Sequence, residues 1–177
     1  MIRKLFTLIL LTSFVPLTGC SNSTNTSIEE TKKEETKKEE VTKIEKIAGQ
    51  MQGDVYVGTD SVKYLADGVA DRVFFATNES ILTTASRETL RAQAAWLREN
   101  SNITVVLEGH ADERGTREYN LALGERRANA AKDYLMTYGV SSDRITVISY
   151  GKERPVDSGS NPLAWSKNRR SVTVKAN

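Results

Sequence analysis

Between residues 71 and 175 the apolar positions follow two periods. Asp71-Arg-Val-Phe-Phe75, Ile103–Glu108 (ITVVLE), Arg144–Tyr150 (RITVISY) and Ser171–Lys175 (SVTVK) are short runs rich in β-branched and aromatic residues. Such runs predict strands. Two longer stretches repeat near 3.6 residues. Thr84 or Ser86 caps a helix that runs to about Glu99, with Leu90, Ala94 and Leu97 on one face, and Asn100-Ser-Asn102 breaks it. A second helix runs from about Arg117 to Tyr138, and Gly139 suits its stop. Val62–Val69 fits a short helix or a turn, and no period decides between them. The order strand–helix–strand–helix–strand predicts βαβ crossovers and one α/β sandwich with helices packed on a sheet.

The pattern changes toward the N-terminus. Arg3 and Lys4 precede a short apolar run, Leu5–Val15, which is well below the roughly 20 residues a membrane-crossing helix needs. The run ends at Leu17-Thr18-Gly19-Cys20, and Cys20 is the only cysteine. Residues 1–19 therefore read as an export signal. Residues 21–46, including TKKEETKKEE, hold almost no apolar surface and cannot offset the entropy of ordering. They read as a solvated tether reaching on the order of 30 Å as a flexible coil. The expected organisation is 1–19 signal, 20–52 Cys20 and a flexible charged tether, 53–70 lead-in, and 71–177 folded domain.

Net charge is +2, so no basic excess is present to drive nucleic-acid binding. His110 is the only histidine and Cys20 the only cysteine, which leaves no His/Cys set for zinc and implies no metal or cofactor. His110 with Asp112, or Glu108 with Asp112, lacks an accompanying nucleophile or a domain large enough for a glycan cleft, so the chain is not expected to be an enzyme. His110 itself reads as a structural or loop residue.

Charge concentrates in GHADERGTREYNLALGERRA, residues 109–128, where a strand end turns into the second helix. At 100° per residue from Leu123, an arc through Tyr119, Ala130, Tyr134, Tyr138 and Leu135 forms the expected buried face. Arg127 lies inside it at about 40°, Arg126 at the margin and Glu125 on the far side. Arg127 therefore needs an acidic partner, whereas Arg126 reaches solvent. Asp112 sits at the carboxyl end of a strand, where open α/β sheets collect ligands. Asp112 and Arg127 bracketing a ligand that carries an ammonium and a carboxylate is one reading; a plain Asp112–Arg127 salt bridge is the other. Replacing Arg127 is expected to spare the fold. Gly115 is expected to let the loop approach closely, and Thr116 to cap the helix or offer its hydroxyl. Trp96 is expected in the core. Trp165 is expected to contact a partner or cover a sheet edge, and one of Arg169 and Arg170 to face solvent.

GHADERGTREYNLALGERRA, with YLMTYGV, RITVISYGKERP and AWSKNRR after it, resembles the peptidoglycan-associated lipoprotein family of the Tol–Pal system over about Asp71 to Lys175. The lipobox-like Leu-x-Gly-Cys and the charged tether fit the same architecture. The resemblance implies an OmpA-like two-layer sandwich, βαβαβ-type with a mixed sheet and helices on one face. It also implies a lipid-anchored outer-membrane protein, acylated at Cys20, whose periplasmic domain binds the diaminopimelate of peptidoglycan without covalent attachment. Its binding Asp and Arg fall on Asp112 and Arg127, and further pocket positions on Thr116, Asn120 and Leu123. Where the family often has Phe-Asp after the first strand, this chain has Thr77-Asn78, which removes a charge from that side of the pocket. The implied partners are peptidoglycan and the propeller protein TolB, with a role in envelope integrity and division. The alternatives are a wall-binding lipoprotein of the same fold acting independently of Tol, and a cell-wall enzyme.

Overall fold

The strand-forming residues pair into one mixed sheet that the two helices cover from one side. The computed structural model describes residues 50–176. Cys20, the signal and the tether up to residue 49 lie outside the described residues. Two small hairpins come first: β1 (Met51–Gln52) with β2 (Val55–Tyr56), and β3 (Tyr64–Ala66) with β4 (Val69–Ala70). The undecided stretch 62–69 thus contributes to a hairpin that turns at Asp67-Gly68, not to a helix. Next come β5 (Arg72–Phe74), α1 (Thr84–Glu99), β6 (Val105–His110), α2 (Arg117–Thr137), a short 3-10 turn (Ser142–Arg144), β7 (Ile145–Gly151), α3 (Pro162–Asn168) and β8 (Arg170–Lys175).

The sheet order is β5-β8-β6-β7. β8 runs antiparallel to both β5 and β6, and β6 runs parallel to β7. β5 and β6 are thus parallel across β8, and each βαβ unit is closed by a helix over the face that carries Val73, Phe75, Val105, Leu107 and Ile145. Leu90, Ala94 and Leu97 of α1 are buried there as the pattern required, with Trp96 packed against the cluster. Gln93, fully buried on the same helix, is tolerated because its Nε2 donates to the Ala70 carbonyl at 2.7 Å and its Oε1 accepts from Thr173 Oγ1 at 2.7 Å. The cap of α1 is Thr83, one residue before the expected pair, and its Oγ1 accepts from the Ser86 N–H at 3.1 Å.

α2 is turned by about 50° from the face expected for it. Its buried residues are Asn120, Leu123, Gly124, Arg127, Ala128, Ala131 and Leu135, while Tyr119 is 43% and Tyr138 38% exposed. The tyrosines keep their hydroxyls wet, and the small residues face the sheet. The reason is contact distance. A Cβ on Gly109 of β6 would sit 1.9 Å from the Gly124 carbonyl oxygen, and one on Gly124 would sit 2.4 Å from Ser149 Oγ. Backbone lies directly on backbone here, which fixes the height of α2 above the strand ends.

The short helix α3 has no counterpart in the expected pattern, although Asn161-Pro162 announces it. The Asn161 side chain accepts from the Ala164 N–H at 3.0 Å, and Pro occupies the first helical position, where its missing N–H costs nothing. Among the described residues no helix is long and apolar enough to cross a membrane.

Candidate functional site

The carboxyl ends of β6 and β7, the N-terminus of α2, the 76–79 turn after β5 and Arg169 at the end of α3 converge on Asp112. Asp112 is 7% exposed. Its Oδ1 accepts from the Arg114 N–H at 3.1 Å and from Arg114 Nε at 3.0 Å, and its Oδ2 accepts from Arg114 Nη2 at 2.7 Å. Arg169 Nη1 donates to the same Oδ2 at 3.2 Å. Burial on its own would raise the Asp112 carboxyl, but the hydrogen bonds and charge of Arg114, then of Arg169, hold it below its ordinary value.

Arg127 departs from the salt-bridge reading of the sequence. Its side chain is fully buried, and its donors go to carbonyls: Nε to Glu79 at 2.8 Å, Nη1 to His110 at 2.8 Å and Nη2 to Ala76 at 3.0 Å. The ion pairs of Asp112 are with Arg114 and Arg169, so neither an acidic partner for Arg127 nor an Asp112–Arg127 bridge forms. Main-chain oxygens satisfy the buried guanidinium because the 76–79 turn and the end of β6 both present carbonyls to it. Burial, then the nearby Arg169, pushes Arg127 down to about 10, with Asp112 opposing the shift. Arg127 thereby ties the 76–79 turn to the end of β6, so its removal is expected to weaken the fold rather than spare it.

The remaining residues divide. Asn120, 2% exposed, donates through Nδ2 to the Arg114 carbonyl at 2.8 Å and so holds the 112–116 loop down. Thr116 caps α2 by accepting from the Tyr119 N–H at 3.2 Å. Gly115 matters for its φ of 88°, not for close approach: a Cβ there would meet nothing nearer than 3.7 Å. Leu123 is buried on the helix face below the loop. Thr77 is half-buried beside Arg114, with 3.5 Å from Nη2 to its Oγ1, and Asn78 is exposed at φ 57°.

Three contributors are absent from the residues expected at the site. Arg114 lies two residues beyond Asp112, so its adjacency was visible. Arg169 and Arg170 are 2% and 6% exposed, so neither faces solvent as expected. Arg169 turns into the site, whereas Arg170 lies near the carbonyls of Arg154 at 3.2 Å and Asn168 at 3.4 Å. The third is Asp54, whose Oδ2 accepts from the Thr77 N–H at 2.6 Å. Trp165 does not stand free: its Nε1 donates to Glu113 at 2.8 Å, and the Arg114 guanidinium stacks 4.4 Å above its ring. His110 is 2% exposed and faces Glu108 Oε2 at 3.7 Å. Burial, then Arg170, Arg72 and Arg154, pushes it down to about 3, so it is neutral. An open groove of ≈ 700 Å³ lies elsewhere, between the two hairpins, β5 and the start of α1, and none of Asp112, Arg114, Arg127 or Arg169 lines it.

The sequence and the fold are similar to those of known proteins. A protein named peptidoglycan-associated lipoprotein from Mesorhizobium japonicum is 54% identical over 106 residues, covering 60% of this chain and 63% of that protein. The chain thus matches less than two thirds of that relative's length. The crystal structure of the peptidoglycan-associated lipoprotein from Burkholderia pseudomallei superimposes with a TM-score of 0.59 at 34% identity, covering 60% of this chain and 90% of that one. The C-terminal domain of Helicobacter pylori MotB, at 17% identity and a TM-score of 0.57 over 60% of this chain and 84% of its own, shares the fold. The family model for OmpA matches residues 74–169, which hold β6, β7, the three helices and Asp112. The chain belongs to the OmpA family.

Proposed function

We propose that this chain is a lipid-anchored outer-membrane protein whose folded domain holds peptidoglycan without covalent attachment, by the free end of diaminopimelate. That end carries an ammonium and a carboxylate on one carbon. The observation that carries this reading is Asp112: a carboxylate kept ionised at a strand end, ringed by guanidiniums, within a domain whose relatives are named for peptidoglycan. Asp112 takes the ammonium. Arg114, 42% exposed in its side chain and stacked on Trp165, swings aside to admit it. A guanidinium has five N–H donors, of which Arg127 spends three on carbonyls; the remaining two, with Arg169, take the carboxylate. Thr77, Asn78, Thr116, Asn120 and Leu123 shape the surrounding wall. Acylation at Cys20 holds the other end of the chain to the outer membrane, with the domain in the periplasm and TolB as the Tol–Pal partner.

Each charged hydrogen bond contributes about 1.5–3 kcal/mol. Firm retention then comes from many wall sites and confinement near the membrane, which raise the effective concentration. The deciding experiment is sedimentation of the full-length chain with purified sacculi. Asp112→Asn should lose about tenfold or more of the bound fraction, and walls with lysine in place of diaminopimelate should retain less wild type. Equal retention of Asp112→Asn, or indifference to the diamino acid, would remove the ligand assignment. TolB co-purification distinguishes a Tol–Pal role from an independent tether, and release of soluble wall fragments would instead mark an enzyme.

A further inference from the structure

The first hairpin lies outside residues 74–169, the segment that matches the family model, yet it reaches into the site. β1 and β2 pair Gln52 with Val55 across a two-residue turn, Gly53-Asp54, with Gly53 at φ 63°. That turn places Asp54 against the 76–79 turn. Asp54 Oδ2 accepts from the Thr77 N–H at 2.6 Å, and the Asp54 carbonyl accepts from Arg169 Nη2. Arg114 Nη2 is 3.5 Å from Thr77 Oγ1 and 2.7 Å from Asp112 Oδ2, and Arg169 Nη1 returns to Asp112 at 3.2 Å. Asp54, Thr77, Arg114, Asp112 and Arg169 therefore close a ring, with Arg127 behind it.

We propose that Asp54 is a specificity-determining residue of this site: its carboxylate, carried in by the hairpin, supplies the negative charge that Thr77-Asn78 lacks and sets the site for a zwitterionic amino-acid head over a purely anionic one. The inference rests on the proposed binding of diaminopimelate. The charge count supports it. Three guanidiniums, Arg114, Arg127 and Arg169, lie among three carboxylates, Asp54, Asp112 and Glu113, which leaves no net charge. Without Asp54 one positive charge would be in excess, and a ligand bearing only carboxylates would be favoured. A zwitterionic head adds no net charge and places its ammonium between two acids. The Asp54 carboxylate is held in its charged form: burial works to raise it, but the hydrogen bonds from Thr77 and the charge of Arg169 outweigh this.

The experiment uses the full-length chain and two probes, meso-diaminopimelate and its N,N′-diacetyl form, which keeps the carboxylates and loses both ammoniums. Asp54→Asn retains an oxygen able to accept from the Thr77 N–H, so the turn stays in place and the charge alone is lost. Titration calorimetry should show wild type preferring the free diamino acid. Asp54→Asn should shift that preference by about tenfold toward the acetylated form, as expected for one unit charge at close range behind partial solvent screening. Asp54→Glu should restore most of the wild-type preference. An unchanged ratio in Asp54→Asn, with wild type still binding, would overturn the role of Asp54 and leave the proposed ligand standing. Failure of wild type to bind the free diamino acid or sacculi would overturn both. A ratio shifted equally in Asp54→Asn and Asp54→Glu would show that the effect is geometric and would also overturn the charge argument.

Discussion

Arg127→Ala is the substitution whose outcome depends most on the carbonyl cage around this side chain. Truncation removes a guanidinium that donates to three main-chain oxygens and is fully buried. Glu79 is exposed and Ala76 half-buried, so their carbonyls find water again. The His110 carbonyl lies in a residue that is 2% exposed and is left without this donor, at about 1–3 kcal/mol. Loss of the packed side chain adds a cavity cost of about 2–3 kcal/mol, by comparison with large-to-small substitutions elsewhere. Against this, the fall from the ordinary arginine range to about 10 reflects burial that already disfavours the charge, so part of the loss is returned. The net expectation is about 3–5 kcal/mol of destabilisation, which is roughly 10–20 °C in Tm for a domain of this size. Urea unfolding followed by circular dichroism measures it directly. Arg126→Ala is the control: Arg126 is exposed, its guanidinium stands 5.9 Å over the Tyr119 ring, and a change within about 0.5 kcal/mol is expected. If Arg127→Ala unfolds within about 1 kcal/mol of wild type, the cage is not holding the 76–79 turn and the reasoning fails.

Two further outcomes follow from the packing and from the buried histidine. Gly124→Ala should destabilise by about 1–3 kcal/mol in chemical denaturation, despite the gain of about 1 kcal/mol in helix propensity, because its Cβ meets Ser149 Oγ at 2.4 Å and the Gly109 carbonyl at 2.8 Å. Gly109→Ala, which meets backbone at 1.9 Å, should cost more, and the reverse order would contradict the contact geometry. His110 is held down to about 3 by burial, then by Arg170, Arg72 and Arg154, against an ordinary 6.5. The unfolded chain therefore takes up this proton first, and stability is lost as pH falls from about 6.5 toward 3, at up to about 1.4 kcal/mol per pH unit. Asp54 and Asp112, both depressed, contribute stability lost only below about 4. Urea midpoints at pH 6.5 and 4.5 should differ clearly for wild type and much less for His110→Gln; equal slopes would exclude His110 as the cause.

The strands and helices were legible because each has a hydrophobic period that its environment enforces. Leu90, Ala94 and Leu97 could face only the sheet. The face of α2 was misread because tyrosines were weighed as apolar, whereas Gly124, Ala128 and Ala131 pack against the sheet through their smallness. Asp112 was legible from its place at a strand end. The partners of Arg127 were not, since three main-chain carbonyls carry no residue identity to read. Asp54 and Arg169 reach the site from 58 and 57 residues away in sequence from Asp112, and no local period signals such meetings.

The position of β8 in the middle of the sheet constrains when this domain can form. β5 pairs Arg72 with Val172, and β6 pairs Val106 with Val174, so both wait for the last strand. A chain emerging from its N-terminus has all three described helices and the seven described strands β1–β7 available before β8 exists, yet the edges of β5 and β6 that β8 will join stay open until residues 170–175 arrive. Such late, long-range closure folds slowly and leaves unpaired strand edges to be protected in the interval. Truncation before residue 172 would remove four of the six residues of the strand that joins the two halves of the sheet.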